Sequence, residues 1–155
     1  MIPPRALLWI DDEGPGRFEY AARRLTREGW TITWARSVAD GARALRDAGF
    51  DAVVIDQMLP LTDDTRDATV WGGCALYRWL RRKPLPVGAP ANVMTPTGEP
   101  LAANVGLPVA IVSAYRHDEV EAAVQEATPA GAKLIYMGKP LDLEALRVAI
   151  RGGVS

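Results

Sequence analysis

The sequence predicts an α/β protein in which a parallel sheet is covered by helices on both faces. Three observations carry this. Five strand-like runs alternate with helical patterns along the chain. Three of those runs, at 6–10, 52–55 and 108–112, are almost unbroken apolar stretches, as strands buried on both faces are. The length, 155 residues, suits one core rather than two.

The elements follow in order. The first strand, 6–10, stops at Asp11-Asp12-Glu13-Gly14-Pro15-Gly16. Phe18, Ala22 and Leu25 then share one helical face, with Pro15 or Gly16 as the opening and Gly29 as the stop. Residues 30–35 alternate and read as a second strand. Ser37, with Asp40 three residues on, is placed to cap a helix whose inner face is Val38, Ala42 and Leu45 and which ends at Gly49. The third strand, 52–55, ends at Asp56. A helix is expected over 74–82, a strand at 108–112, a helix over 118–127, a strand at 133–137 and a last helix over 143–150. The chain shows no internal repeat.

Composition excludes several classes. The 18 basic and 19 acidic residues leave a formal net charge of -1, so no basic footprint for nucleic acid or an anionic membrane exists. No apolar run approaches the ~20 residues of a membrane helix, and Met-Ile-Pro-Pro-Arg has no signal-peptide pattern. One cysteine, Cys74, and one histidine, His117, exclude an internal disulfide framework and argue against structural zinc. The expected location is cytoplasmic.

Ligands of open parallel sheets bind outside the carboxyl ends of the strands. Those ends carry Asp11, Asp12 and Glu13, then Asp56, then Ser113, with Lys139 just past the last strand. Singly, each residue has an ordinary reading: helix cap, turn former, satisfied hydroxyl, solvated lysine. Together they place acids, a hydroxyl and an ammonium on one edge. Two carboxylates ~4–5 Å apart repel by roughly 3–4 kcal/mol at an effective dielectric of about 20. Such a cluster raises a pKa or recruits a cation. Oxygen ligands alone select a hard ion, expected to be Mg²⁺, which favours phosphate partners. The chemistry suggested is phosphoryl transfer onto a carboxylate.

Four segments then resemble the motifs of response-regulator receiver domains: Ile10-Asp11-Asp12-Glu13, Val53 through Pro60, Ile111-Val112-Ser113-Ala114-Tyr115, and Gly131 through Pro140 with Tyr136-Met137-Gly138-Lys139-Pro140. The resemblance covers nearly the whole chain, read as a single domain over 1–155. It implies a flavodoxin-like (βα)5 three-layer sandwich with sheet order 2-1-3-4-5. It implies a signalling module rather than an enzyme, in which Asp56 accepts a phosphoryl group from a sensor histidine kinase or phosphotransfer protein and switches a surface for an output protein. Asp11, Asp12, Asp56 and the main-chain carbonyl of Met58 are the implied Mg²⁺ ligands. Ser113 and Lys139 are the implied phosphoryl partners, Tyr136 the aromatic switch, and Lys139-Pro140 a cis peptide. Met58, Ala114 and Tyr115 are expected to flank the phosphoryl site. Met58 and Tyr115, bulky and unable to orient water, are expected to slow loss of the group.

Two stretches depart from the pattern. Residues 61–70 are polar and acidic and are expected beside the site, where they could gate it. Residues 83–107 hold five Pro and three Gly and are expected to form an ordered β-hairpin, 93–95 against 101–103, leaving from the sheet edge opposite the site and used for partner contact. Gly72-Gly73 also stands where the family often has Asp-Gly. Cys74 is expected to pack under the third helix. His117 is expected to be exposed, Trp9 to lie in the core, and Trp71 and Trp79 to anchor the first odd stretch or a partner. Arg78, Arg81, Arg82 and Lys83 read as cations complementing a helix C-terminus. Two other functions compete with this reading. One is a receiver-like interaction module that works without phosphorylation, against which the complete acidic pair, Asp56 and Lys139 argue. The other is an aspartyl phosphohydrolase, which needs an acid where Met58 stands.

Overall fold

The computed structural model describes residues 4–64 and 67–151. Thr65 and Arg66 of the acidic stretch, the first three residues, and the Gly152-Gly153-Val154-Ser155 end lie outside the described residues. Five parallel strands form the sheet: β1 (Arg5–Ile10), β2 (Trp30–Ala35), β3 (Ala52–Asp56), β6 (Val109–Ser113) and β7 (Leu134–Gly138), in the order β2-β1-β3-β6-β7. This is the flavodoxin-like order expected from the sequence. Two short strands, β4 (Leu59–Pro60) and β5 (Ala68–Thr69), pair antiparallel as a separate ribbon.

Helices α1 (Glu19–Arg27), α2 (Val38–Asp47), α3 (Gly72–Leu80), α4 (Asp118–Glu126) and α5 (Leu143–Ile150) cover the sheet. Alternation within the strands sorts the core into two layers. Leu8, Ile10, Val53, Ile55, Val109 and Ile111 face α2, α3 and α4. Leu7, Trp9, Val54, Ala110 and Val112 face α1 and α5. Trp9 is buried, stacked on Trp34 with centroids 4.9 Å apart. Ser37 caps α2 through its hydroxyl, which accepts the Asp40 N–H at 3.0 Å. Gly29, at φ +100°, closes the turn after α1. The opening of α1 differs from expectation: Gly14–Gly16 form a separate 3-10 turn and the α-helix starts at Glu19.

The segment 83–107 is not a hairpin. Among the described residues it has no strand, only turns and a 3-10 helix at Ala102–Asn104. Its backbone hydrogen bonds close local turns or go to the covering helices rather than across a ladder. Trp79 Nε1 donates to the Gly98 carbonyl at 2.9 Å, and Arg46 Nη1 donates to the Thr97 carbonyl at 2.7 Å. Trp79 therefore anchors this segment and not the acidic one.

Arg78 and Arg81 are also not solvated cations, for both are buried. Arg78 donates to the Pro84 carbonyl at 2.6 Å and to the Ala123 carbonyl of α4 at 2.7 Å. Arg81 donates to the carbonyls of Val105 and Leu107 and lies over the Tyr77 ring. The segment does leave from the amino-end side of β6, through Arg81. Its middle, Met94–Thr97, lies over α2, where it lines a groove with Val38, Ala42, Arg46 and Leu61.

Candidate functional site

Strand register assembles the site. Ile10 pairs with Ile55, so Asp11 follows β1 where Asp56 ends β3. Asp56 pairs with Val112, which sets Ser113 one residue further on β6. Ser113 pairs with Gly138, and the Lys139 N–H donates to the Ser113 carbonyl at 3.0 Å. Four neighbouring strand ends thus deliver the residues to one cleft of about 250 Å³. It is lined by Asp12, Glu13, Arg17, Asp56, Gln57, Met58, Ser113, Ala114, Tyr115 and Lys139, among others.

Asp11 and Asp56 are buried and Asp12 is exposed. One carboxylate oxygen from each lies within 4.8 Å of the others. Burial pushes the Asp56 carboxyl up to about 7, and the charge of Asp11 adds to this, while Lys139 and the Met58 N–H act the other way. Burial also raises Asp11. Asp56 Oδ2 accepts from Lys139 Nζ at 3.3 Å, and its Oδ1 accepts the Met58 N–H at 3.3 Å. Asp11 Oδ1 accepts the Glu13 N–H at 2.9 Å. An all-oxygen donor set in which burial and mutual repulsion disfavour the charged forms fits a hard divalent cation. Gln57, next in sequence to Asp56, is buried and leaves its Oε1 without a hydrogen-bond partner among the described residues.

Ser113 lies in the cleft, but its hydroxyl is turned to its own loop. It donates to the Tyr115 carbonyl and accepts the Tyr115 N–H at 3.2 Å. Ala114 and Tyr115 are exposed on one wall, and Met58, also exposed, lines the cleft with them. Tyr136 lines an adjoining groove with Ser113, Arg116, Glu121 and Lys139. Its hydroxyl is buried without a hydrogen-bond partner among the described residues, and burial raises its pKa. The Lys139–Pro140 peptide is cis. Cys74 is buried and its thiol is pushed up to about 11 by that burial, which suits packing rather than nucleophilic chemistry. His117 is half-buried and caps α4, its Nδ1 accepting the Val120 N–H at 3.4 Å.

Two contributors were not legible as site residues. Gly72 and Gly73 let the first turn of α3 press on the backbone after Asp56. A Cβ on Gly73 would lie 2.5 Å from the Asp56 carbonyl oxygen, and one on Gly72 the same distance from the Leu59 carbonyl oxygen. The Gly73 N–H donates to the Gln57 carbonyl at 3.0 Å. The glycine pair was visible in the sequence; the backbone it meets was not. Gly73→Ala is therefore expected to cost about 1–3 kcal/mol and to displace the loop that carries Asp56. Urea denaturation checks it, and an unchanged midpoint would contradict the close-approach argument. Arg17 is the other contributor, on the cleft wall beside Glu13.

No protein-family model matches the sequence, and no match is found among curated proteins. Solved structures do match. The receiver domain of the Francisella response regulator 1452 is 18% identical with a TM-score of 0.63, over 95% of this chain and 93% of that one. A CheY-like response-regulator receiver domain protein from Methanospirillum hungatei is 18% identical with a TM-score of 0.66, over 96% and 91%. The receiver domain of a sensor histidine kinase from Pseudomonas aeruginosa, with a magnesium ion in its active-site cleft, is 16% identical with a TM-score of 0.64, over 98% and 99%. The structural neighbours are thus receiver domains, and the chain has their flavodoxin-like fold.

Proposed function

We propose that residues 1–155 form a single receiver domain of a two-component or phosphorelay system, with Asp56 as the phosphoacceptor. The observation that carries this is the convergence of Asp12, Asp56, Ser113 and Lys139 in one cleft, with the buried Asp11 carboxylate within 4.8 Å of those of Asp12 and Asp56. Fold alone does not assign function; the site residues do.

In this reading Asp56, as carboxylate, attacks the phosphorus of a phosphohistidine on a sensor kinase or phosphotransfer protein. A new P–O bond forms, the P–N bond breaks, and its electron pair leaves with the imidazole nitrogen. Asp11, Asp12, Asp56 and the Met58 main-chain carbonyl would hold Mg²⁺, which supplies the positive charge that favours ionised carboxylates and neutralises the phosphoryl oxygens. Lys139, already 3.3 Å from Asp56 Oδ2, stays with the anionic group as it transfers. Ser113 exchanges its bond with the Tyr115 carbonyl for one with a phosphoryl oxygen. That rotation opens space beside Tyr136, which then acts as the switch toward an output protein. The exposed Met58 and Tyr115 flank the path of an attacking water.

Incubation with acetyl phosphate and Mg²⁺, followed by intact-mass measurement, tests the proposal. One phosphoryl adduct is expected on the wild type and none on Asp56→Asn. Absence of an adduct on the wild type, where the small donor and the kinase alike fail, favours the phosphorylation-independent interaction module. An undiminished adduct on Asp56→Asn removes Asp56 as acceptor.

A further inference from the structure

We propose that Arg17 is a specificity-determining residue that draws the anionic phosphodonor into the cleft, and that Glu13 is the latch that restrains it. This rests on the receiver reading above. Arg17 follows the 3-10 turn Gly14–Gly16, and Glu13 precedes that turn. The two side chains meet across it as an ion pair through Arg17 Nη1, each half exposed, and both line the cleft that holds Asp56 and Lys139. Among the described residues, the hydrogen bonding of Arg17 goes to Glu13 alone. A guanidinium has five N–H donors in a fork that matches a phosphate, so most of its capacity is left for a ligand.

The other cations at the cleft hold their partners through different geometry. Lys139 is engaged with Asp56, and Arg116 holds Glu121 through two nitrogens, at 3.1 and 3.3 Å. An incoming acyl phosphate or phosphohistidine brings several negative charges to a cleft already lined by Asp12, Glu13 and Asp56. A cation at the mouth offsets that repulsion before Lys139 can act. An exposed pair such as Glu13–Arg17 is weak, so exchanging Glu13 for a phosphoryl dianion is favourable. Removing Glu13 should therefore have the opposite effect to removing Arg17, which a general loss of structure would not produce.

The test is the rate of Asp56 phosphorylation at limiting acetyl phosphate with saturating Mg²⁺. Arg17→Gln is expected to lower the apparent second-order rate constant about fivefold, and Arg17→Lys, which keeps the charge but not the fork, to recover only part of that loss. Glu13→Gln is expected to raise it about twofold, and both differences should shrink at high salt. Equal rates for wild type and Arg17→Gln overturn the inference while leaving the receiver reading intact. So does a Glu13→Gln rate shifted in the same direction as Arg17→Gln. A wild type that forms no adduct overturns both.

Discussion

In the absence of divalent metal, Asp56→Asn is expected to be more stable than the wild type above about pH 7, by about 1–3 kcal/mol. The reason is the position of Asp56: buried, beside Asp11, with its carboxyl pushed up to about 7. In the unfolded chain the same carboxyl titrates near the ordinary value of 3.8. Between about pH 4 and about pH 7 the native state keeps a proton that the unfolded chain has lost. Wild-type stability contributed by this group is therefore fully present below about pH 4 and falls as pH rises toward 7, by up to ~1.4 kcal/mol per unit. The raised Asp11 carboxyl works in the same direction. Asparagine removes the titration and the repulsion, although it also takes from Lys139 an ionic partner at 3.3 Å, which tempers the gain. At this chain length each kcal/mol moves Tm by roughly 2–4 °C. Thermal denaturation in EDTA from about pH 4 to 8 measures it. Added Mg²⁺ should raise the wild-type Tm and leave Asp56→Asn nearly unmoved. A wild-type curve that is flat with pH, or parallel in the two proteins, would contradict the coupling.

Asn104→Leu is expected to destabilise the protein by about 3–5 kcal/mol. Asn104 is completely buried in a segment that composition alone reads as a surface loop. Its Nδ2 donates to the Leu45 carbonyl at 2.9 Å and to the Ala48 carbonyl at 2.7 Å. Its Oδ1 accepts the Phe50 N–H at 3.1 Å. One side chain thus satisfies carbonyls at the end of α2 and the amide that starts the return to β3. Leucine keeps the volume but takes the side-chain partner from the Ala48 carbonyl and the Phe50 N–H and one of two partners from the Leu45 carbonyl, at about 1–3 kcal/mol for each group left unpaired. The Leu101 N–H, which donates to the same Leu45 carbonyl at 3.0 Å, is the partner that carbonyl keeps. Urea denaturation gives the magnitude, and hydrogen exchange should rise at Leu101, Asn104 and Leu107 before it does in the sheet. A loss below about 1 kcal/mol would mean that the segment is not held by Asn104.

Most of the sheet was legible because its signals are local. Unbroken apolar runs such as Ala52-Val53-Val54-Ile55 have few alternatives to a doubly covered strand. Ser37 with Asp40 and Gly29 marked helix limits through short-range hydrogen bonding and positive φ. The candidate site was legible for a related reason. Its residues stand at strand ends, and a parallel sheet gathers those ends on one edge whatever the intervening loops do.

Long-range partners were not legible. Nothing in Arg78-Trp79-Leu80-Arg81 says that the two guanidinium groups turn inward and hold loop carbonyls, because a cation near a helix C-terminus is ordinarily solvated. The hairpin expected at 93–103 failed for the same reason. Turn residues between apolar triplets suggest a ladder, but the Val93 N–H turns back to the Pro90 carbonyl and the Leu101 N–H goes to the Leu45 carbonyl of α2, while Trp79 and Arg46 hold the Gly98 and Thr97 carbonyls between them. By itself, then, the sequence determined the alternation of strands and helices along the chain, a sheet covered on both faces, and which acids, hydroxyl and lysine gather at its edge. Only the tertiary structure decided how buried Asp56 is, how closely Gly73 lets α3 approach it, and that the middle of 83–107 lies over α2. Those three depend on distances between segments remote in the chain, and side-chain hydrogen bonds across such distances leave no periodic trace in sequence.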